Sequence, residues 1–136
     1  MSRLERMLET HPHPAGSNGE AALRCIEAAA ECALICTTCA DACLAEDDVQ
    51  AMVTCVRLNL DCAAVCDATA TLLTRPSHRD APSLHAQLEA CIAICRACGE
   101  ECERHGKKGM EHCAICAESC RECLEACEVM VGALVP

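Results

Sequence analysis

The sequence contains no phenylalanine, tyrosine or tryptophan among its 136 residues. A core without aromatic rings has to be built from smaller side chains, which bury less area each. Cysteine is correspondingly abundant: 17 residues are cysteine, far above ordinary usage. The chain is long enough for one domain with a real core. We therefore expect a single domain whose core chemistry depends on cysteine.

Long basic clusters are also missing, and we expect no secretory leader. The net charge is -10, with 21 acidic and 11 basic residues, and no basic cluster is longer than Lys107-Lys108. This balance disfavours nucleic acid as a partner. Residues 1–16, MSRLERMLETHPHPAG, show neither an apolar central region nor a cleavage site, so we expect a cytoplasmic protein. Charged residues interrupt every hydrophobic stretch, and we expect no membrane partner.

No catalytic constellation is identifiable in the sequence. It offers no Ser-His-Asp set, no phosphate-binding loop and no convergent pair of carboxylates. Hydrolysis and phosphoryl transfer therefore have no support, and we expect a protein that is not an enzyme.

Residues 113–127, CAICAESCRECLEAC, carry cysteines in a helical rhythm. The cysteines follow one another at intervals of three, four, three and four, which returns each of them to one face of an α-helix. At about 100° per residue, they fall within about 80° of arc. No glycine or proline interrupts the segment, so the pattern predicts a continuous helix with a stripe of sulfur.

This spacing fits a metal better than a disulfide. Neighbouring cysteines of such a stripe have Cβ atoms about 5 to 6 Å apart, whereas a disulfide needs about 4 Å. Two thiolates on either side of a metal ion need sulfurs roughly 4.5 Å apart, which small side-chain rotations can supply. A reducing compartment and an odd number of cysteines also disfavour complete pairing.

The same rhythm elsewhere predicts an all-α fold, an antiparallel up-down-up-down four-helix bundle with a short N-terminal helix. We place the short helix and a Pro/His linker at residues 1–16, the cysteine-lined bundle at residues 17–132 and a tail at residues 133–136. Ser17 and Glu20 form a capping box that opens the first long helix. The four long helices are predicted at about 17–45, 49–74, 80–106 and 110–132.

Every cysteine lies on the predicted inward face of one of these helices. The four helices carry five, three, four and five cysteines, which accounts for all 17. Asn59 occupies a gap in the second stripe, between Cys55 and Cys62, so a polar side chain faces the same interior. The candidate metal ligands are Cys25, Cys32, Cys36, Cys39, Cys43, Cys55, Cys62, Cys66, Cys91, Cys95, Cys98, Cys102, Cys113, Cys116, Cys120, Cys123 and Cys127.

Cysteine could also be a small apolar filler in the core of an ordinary bundle. Natural cores use leucine, isoleucine and phenylalanine for that purpose, because small side chains bury little area. In this sequence the aliphatic residues mostly flank the stripes and leave the centre to sulfur. So many thiols around one axis are better explained by soft cations that fill it.

The ligand chemistry narrows the choice of cation. Zinc prefers four ligands in tetrahedral coordination, which one straight helix face seldom supplies. Bacterial iron–sulfur motifs wrap a loop around the cluster and end in Cys-Pro, which this segment lacks. Copper(I) is soft and suits repeated Cys-x3-Cys pairs along a tube, so we expect multiple Cu(I) ions. A zinc or cadmium buffer of metallothionein type and a thiol redox reservoir stay open as alternatives.

From about Ala21 to Met130 the chain resembles the cytosolic copper storage proteins. The most specific part of the resemblance is the row of Cys-x3-Cys pairs on all four helices, namely Cys32/Cys36, Cys39/Cys43, Cys62/Cys66, Cys91/Cys95, Cys98/Cys102, Cys116/Cys120 and Cys123/Cys127. The resemblance implies a bundle that binds many Cu(I) ions and assembles as a homotetramer. A copper chaperone needs one exposed pair of cysteines, so an interior column of thiols favours storage over delivery. Asn59 departs from an unbroken stripe and leaves the second helix short of ligands.

The two ends of the predicted bundle differ in chemistry. The end where the first and third long helices finish gathers Met52, His105, Met110 and His112. The opposite end is apolar and collects Leu73, Leu84, Leu88 and Met130. We hypothesise that Cu(I) enters at the first end, with His105 and His112 as transient ligands, because helical phase places each roughly 50° from its stripe. The alternative is that both are solvated residues at helix ends.

Overall fold

The structure, a computed structural model, describes residues 2–14, 18–77 and 79–134. Within these ranges it is helical and contains no β-strand, which confirms the all-α prediction. The helices are α1 (Arg3–Glu9), α2 (Gly19–Leu44), a 3₁₀ helix (Val49–Met52), α3 (Val53–Leu73), α4 (Ala81–Gly106) and α5 (Glu111–Ala133).

Aspartate side chains set the start of two helices. The Asp48 carboxylate accepts a hydrogen bond from the backbone N–H of Ala51 at 3.3 Å and begins the 3₁₀ helix. The Asp80 carboxylate accepts from the backbone N–H of Ser83 at 3.1 Å and begins α4, with Pro82 in the first turn. Both bonds satisfy a donor that has no partner inside the helix.

The second long helix begins later than the sequence predicts. Val49–Met52 form a 3₁₀ turn, and the α-helix starts only at Val53. The reason is local, because the capping bond of Asp48 closes a tight turn before the α-helical ladder can start. The predicted cap Ser17 lies outside the described residues, and Asn18 precedes α2 without a side-chain capping bond.

The four long helices form an antiparallel bundle, as predicted. α2 and α4 each pack between α3 and α5. Cys43 near the end of α2 lies 4.0 Å from Cys113 at the start of α5, measured between Sγ atoms. Cys25 near the start of α2 lies 3.6 Å from Cys127 near the end of α5. These contacts between opposite ends require that α2 and α5 run in opposite directions.

Aliphatic side chains close one end of the bundle. Leu73, Leu88 and Met130 are fully buried there, and Leu84 is nearly so. α1 buries none of its own residues. It rests on the core through partly buried Leu4 and Leu8. This end is therefore the apolar end that the sequence predicts.

Helices α4 and α5 approach each other closely at a glycine. A Cβ atom added to Gly106 would lie 3.0 Å from both the Cα and the Cβ of Ala114. That is tighter than nine in ten real Cβ contacts, so the absence of a side chain eases the approach. Gly109, in the connection that follows, has a φ of +99°, which favours glycine.

Among the described residues, one helix is long and apolar enough to cross a membrane, judged by length and composition only. It is the segment Val49–Leu73, with a mean hydropathy of 1.3 over its most apolar window. A core helix of a bundle passes the same test. Charged residues interrupt this segment, as expected from the sequence, at Arg57, Asp61 and Asp67. The apolar character has a local cause, because the inward face carries cysteine while Leu60 and Leu72 are exposed on the outside. A third of the window is buried inside the bundle.

Candidate metal centre

All 17 cysteines lie in the described part of the chain, and none of them forms a disulfide. Each is buried, with 2% or less of its surface exposed. The stripes predicted from the sequence thus face the interior of the bundle, where helices on all four sides exclude water.

The inner sulfurs form overlapping groups of four. Within each group the Sγ atoms lie within 4.8 Å of one another. Successive groups share members, so they connect along the bundle axis. The groups are Cys66/Cys91/Cys95/Cys123, Cys32/Cys62/Cys66/Cys95, Cys32/Cys36/Cys62/Cys120 and Cys36/Cys98/Cys116/Cys120, and together they are called the thiol column.

Distances in the thiol column are those of thiols in contact. Within one helix, Cys32 and Cys36 have Sγ atoms 3.7 Å apart, and Cys62 and Cys66 have theirs 3.8 Å apart. Between helices, Cys66 and Cys95 are 3.6 Å apart. A disulfide bond would require about 2.0 Å, so these are separate sulfurs that a third atom can bridge.

Asn59 interrupts the sulfur with a carboxamide that is fully buried. Its Nδ2 donates to the Cys55 carbonyl oxygen at 2.8 Å and contacts the Cys102 sulfur at 3.4 Å. Its Oδ1 accepts from the thiols of Cys116 at 3.0 Å and Cys98 at 3.4 Å. Both polar atoms of the amide are therefore hydrogen-bonded, and the amide lies where the thiol column meets the sulfurs nearer the open end, beside the contact of Cys98 with Cys102.

A second group of donors lies at the end where α2 and α4 finish. Its donor atoms, also within 4.8 Å of one another, belong to Cys39, Cys43, His112 and Cys113, which are called the mouth group. The His112 Nδ1 atom lies 3.4 Å from the Cys39 sulfur and 3.5 Å from the Cys113 sulfur. The structure thus turns His112 toward sulfur, as helical phase predicts.

The other ring nitrogen of His112 has a carboxylate partner. Its Nε2 lies 3.1 Å from Oε2 of Glu46, which follows the end of α2. His112 is partly exposed, with 30% of its side chain accessible to solvent. The imidazole therefore links solvent, a carboxylate and buried sulfur.

His105 is buried but is oriented differently. Its Nε2 lies 3.1 Å from Oε2 of the buried Glu101, whose other oxygen forms an ion pair with Arg104. Burial lowers the pKa of His105, and the positive charges of Arg104 and Lys108 lower it further. Among the described residues, no hydrogen bond joins the His105 ring to a cysteine sulfur. The structure thus places the His112 ring in contact with thiols, whereas the His105 ring contacts Glu101.

The two methionines at this end differ in burial. Met52 is fully buried, whereas Met110 is only partly buried against the core. At the opposite end Cys25 and Cys127 form a separate pair near the aliphatic closure.

Burial and neighbouring thiols raise the pKa of Cys113 and Cys36. Burial, followed by the nearby thiol of Cys43, raises the pKa of Cys113 from the ordinary 9.0 to about 12. Hydrogen bonding to neighbouring thiols, first of all Cys116, raises the pKa of Cys36. These two thiols are therefore neutral near neutral pH, and a metal that binds them as thiolates must displace their protons.

Sequence reasoning missed two carboxylates of this centre. Glu101 stands four residues before His105, a helical spacing that could have revealed the pair. Glu46 lies 66 residues from His112, so no local pattern could have joined them.

Comparison with known proteins matches this chain to one family model and to a curated relative. The family model for copper storage proteins matches residues 18–132. An uncharacterised cysteine-rich protein of Bacillus subtilis (strain 168), YhjQ, is 36% identical over 81 residues, 60% of this chain and 71% of YhjQ.

Solved structures give a closer comparison. The copper storage protein Ccsp from Streptomyces lividans, loaded with 10 copper equivalents, superposes with a TM-score of 0.91 at 45% identity, covering 95% of this chain and 98% of that one. A structure of a cytosolic copper storage protein from Streptomyces lividans with five coppers superposes with a TM-score of 0.81 at 49% identity, covering 83% of this chain and 93% of that one. The Cu(I)-bound copper storage protein BsCsp3 superposes with a TM-score of 0.71 at 33% identity, covering 82% of this chain and 98% of that one.

Proposed function

This chain belongs to the copper storage protein family, and from that membership we propose that it stores many Cu(I) ions as thiolate complexes inside its bundle. One observation carries the proposal: all 17 cysteines are buried and free of disulfides. Overlapping groups of their sulfurs continue along the axis. We propose as ligands Cys25, Cys32, Cys36, Cys39, Cys43, Cys55, Cys62, Cys66, Cys91, Cys95, Cys98, Cys102, Cys113, Cys116, Cys120, Cys123 and Cys127.

The sulfur distances support a small thiophilic ion with few ligands. Three thiolates around an ion, each at the roughly 2.3 Å typical of a metal–thiolate bond, lie about 4 Å apart. The Sγ atoms of Cys66 are already 3.6 Å from Cys95 and 3.8 Å from Cys123. Soft thiolates favour Cu(I) over hard cations. Modest side-chain rotation would therefore convert the thiol contacts into copper sites.

Proton release keeps the interior close to neutral. Each thiol that becomes a thiolate releases one proton, so a monovalent ion enters with its charge largely compensated. The bundle avoids the large desolvation cost of burying an uncompensated charge.

The test is an anaerobic titration of the fully reduced apoprotein with Cu(I) in competition with bathocuproine disulfonate. We expect many Cu(I) equivalents to stay with the protein, and zinc to be lost readily to a chelator. Free thiols counted before loading should number 17. Tight retention of zinc or cadmium with weak retention of Cu(I) would instead favour a metal buffer. Ready formation of disulfides in place of metal binding would favour a redox reservoir.

We propose that copper enters at the end of the bundle that holds the mouth group. His112 supports this by contacting two sulfurs while partly exposed to solvent. His105 lies at the same end and is proposed as a second transient ligand, although its ring now faces Glu101. Replacing both histidines with alanine should slow Cu(I) loading in stopped-flow measurements. Unchanged rates of loading and removal would discard this route.

We also propose that the protein is a cytoplasmic homotetramer that stores copper and catalyses no reaction. The structure of a cytosolic copper storage protein from Streptomyces lividans is similar over 83% of this chain. Exposed apolar side chains such as Leu34 and Ile115 offer surfaces for contact between copies. Copper ions are the partner that the interior accommodates.

A further inference from the structure

Glu46 is held beside the mouth group by its own backbone. It lies in the connection after α2, where its N–H donates to the Cys43 carbonyl oxygen at 3.3 Å. Its carboxylate reaches across to α5 and lies 3.1 Å from the His112 Nε2 atom. The end of α2 and the connection after it thus supply the Cys43 thiol of the mouth group and the carboxylate that contacts His112, the one nitrogen ligand in that group.

This contact decides which nitrogen of His112 carries the proton. An ionised carboxylate can only accept hydrogen bonds, so the Nε2 atom must be the donor. In a neutral imidazole, the other nitrogen then has a lone pair. That nitrogen is Nδ1, which lies 3.4 Å from the Cys39 sulfur and 3.5 Å from the Cys113 sulfur. The lone pair therefore points at the thiols where an incoming ion would bind.

We propose that Glu46 is a positioning residue for copper uptake, which fixes the His112 ring so that Nδ1 is presented as a ligand beside Cys39 and Cys113. The inference deepens the proposed function and rests on it. A carboxylate bonded to the second nitrogen of a metal-binding histidine sets its tautomer and orientation and raises its basicity. Glu46 supplies this to a site made of one nitrogen and three sulfurs.

Sulfur contacts continue from this site into the bundle. Cys43 of the mouth group has its Sγ atom 3.8 Å from that of Cys55, which in turn lies 3.7 Å from Cys102. An ion held by His112 and two thiols can exchange the nitrogen for the next sulfur, and the displaced thiol proton leaves to solvent. Because thiolates are softer ligands than imidazole, the exchange favours inward movement.

The first measurement is made on the apoprotein, so it needs no copper. Nitrogen-15 NMR of the His112 ring reports which nitrogen is protonated. We expect the Nε2–H form in the wild type and in Glu46→Gln, whose amide oxygen can still accept the bond. We expect a mixture of tautomers in Glu46→Ala. A ring that keeps the Nε2–H form in Glu46→Ala would overturn the proposal.

The second measurement is the rate of Cu(I) uptake by stopped flow. Loss of such a partner typically costs 10- to 100-fold in metal affinity, so we expect the first phase of uptake in Glu46→Ala to slow by about tenfold. Glu46→Gln should recover most of that loss. Asp47→Ala is the matched control, because it removes an adjacent exposed charge that has no contact with His112, and it should load normally.

A double variant separates positioning from simple attraction of a cation. In a His112→Ala background, Glu46→Ala should slow uptake no further. An equal slowing there, or in Asp47→Ala, would assign the effect to negative charge and overturn the proposal. The number of Cu(I) ions bound at saturation should stay at the wild-type value in all these proteins. A wild type that fails to hold Cu(I) would refute the proposed storage function, while the tautomer measurement would still judge the role of Glu46.

Discussion

Asn59 is a polar residue in an interior that is otherwise lined with sulfur. Its Oδ1 accepts from thiols on α4 and α5, while its Nδ2 contacts sulfurs of Cys55 and Cys102. An amide in place of a thiol removes one possible metal ligand, but both polar atoms of the Asn59 amide have hydrogen-bond partners. The mouth group and the thiol column are joined by sulfur contacts through Cys55, Cys102 and Cys98, and Asn59 lies beside this path and bonds to it.

Substitution of Asn59 tests whether this position can serve as a ligand. Asn59→Cys should add a thiolate beside Cys55 and Cys102 and hold about one more Cu(I) ion than Asn59→Ser, because the two side chains differ only in sulfur for oxygen. The measurement is the number of Cu(I) equivalents retained against bathocuproine disulfonate. The serine variant controls for the smaller side chain. Equal capacities would mean that this position lies outside the path of the metal.

At the scale of helices, local pattern accounts for most of what the sequence could predict. The spacing of cysteines fixed which faces of α2, α3, α4 and α5 turn inward, because helical period is a local property. Asp80 was recognisable as a cap for the same reason. The 3₁₀ turn at Val49–Met52 was missed, because its start depends on one side-chain bond within a polar run.

Contacts between helices lay beyond sequence reasoning. The pairing of Glu46 with His112 and the approach of Gly106 to Ala114 depend on how whole helices pack. Glycine near a helix end predicts only where the helix stops. The chemistry of the cysteine ligands and the resemblance to copper storage proteins both indicated Cu(I) from the sequence, whereas the partners of the histidines came only from the structure.

The close approach of α4 and α5 leads to a prediction about stability. Gly106→Ala should destabilise the apoprotein by about 1 to 3 kcal/mol, because the new Cβ would overlap backbone and side-chain atoms of Ala114. Chemical denaturation followed by circular dichroism measures the change. Gly132→Ala is the control, since a Cβ there meets nothing within 4 Å. It should be neutral or stabilise by about 0.5 to 1 kcal/mol. A Gly106→Ala protein as stable as the wild type would show that the helices separate freely.

For the molecule as a whole, buried thiols make stability depend on pH. The pKa of Cys113 rises from 9.0 in the ordinary case to about 12 in the fold, chiefly because of burial. Between these values the unfolded chain loses the proton and the folded chain keeps it. The contribution of this thiol to the free energy of unfolding is therefore fully present below about pH 9. It is lost as pH rises toward about 12.

Metal loading should remove this dependence. We expect the melting temperature of the reduced apoprotein to fall steadily above about pH 9. The copper-loaded protein should show a much smaller change over the same range, because its thiols are already deprotonated. Thermal unfolding followed by circular dichroism under a reductant measures both. An apoprotein with constant stability across this range would contradict the raised pKa of the thiols.

Assembly is the last property that belongs to the whole molecule. Leu34 and Ile115 are 72% and 49% exposed, and with Ile35 they line an apolar groove of about 250 Å³ between α2 and α5. Apolar side chains that stay in water on one copy are stabilised when a second copy covers them. If this groove is an interface of the proposed homotetramer, a charge placed in it should dissociate the assembly.

The variant Leu34→Glu tests that expectation by size-exclusion chromatography with light scattering. We expect the wild type to elute as a tetramer and Leu34→Glu as a smaller species, because the new carboxylate would be buried without a partner. Leu60→Glu is the matched control, since Leu60 is 51% exposed on α3 and does not line the groove. Dissociation by Leu60→Glu alone would move the interface to α3. A wild type that elutes as a monomer would refute the proposed assembly and leave storage within a single bundle.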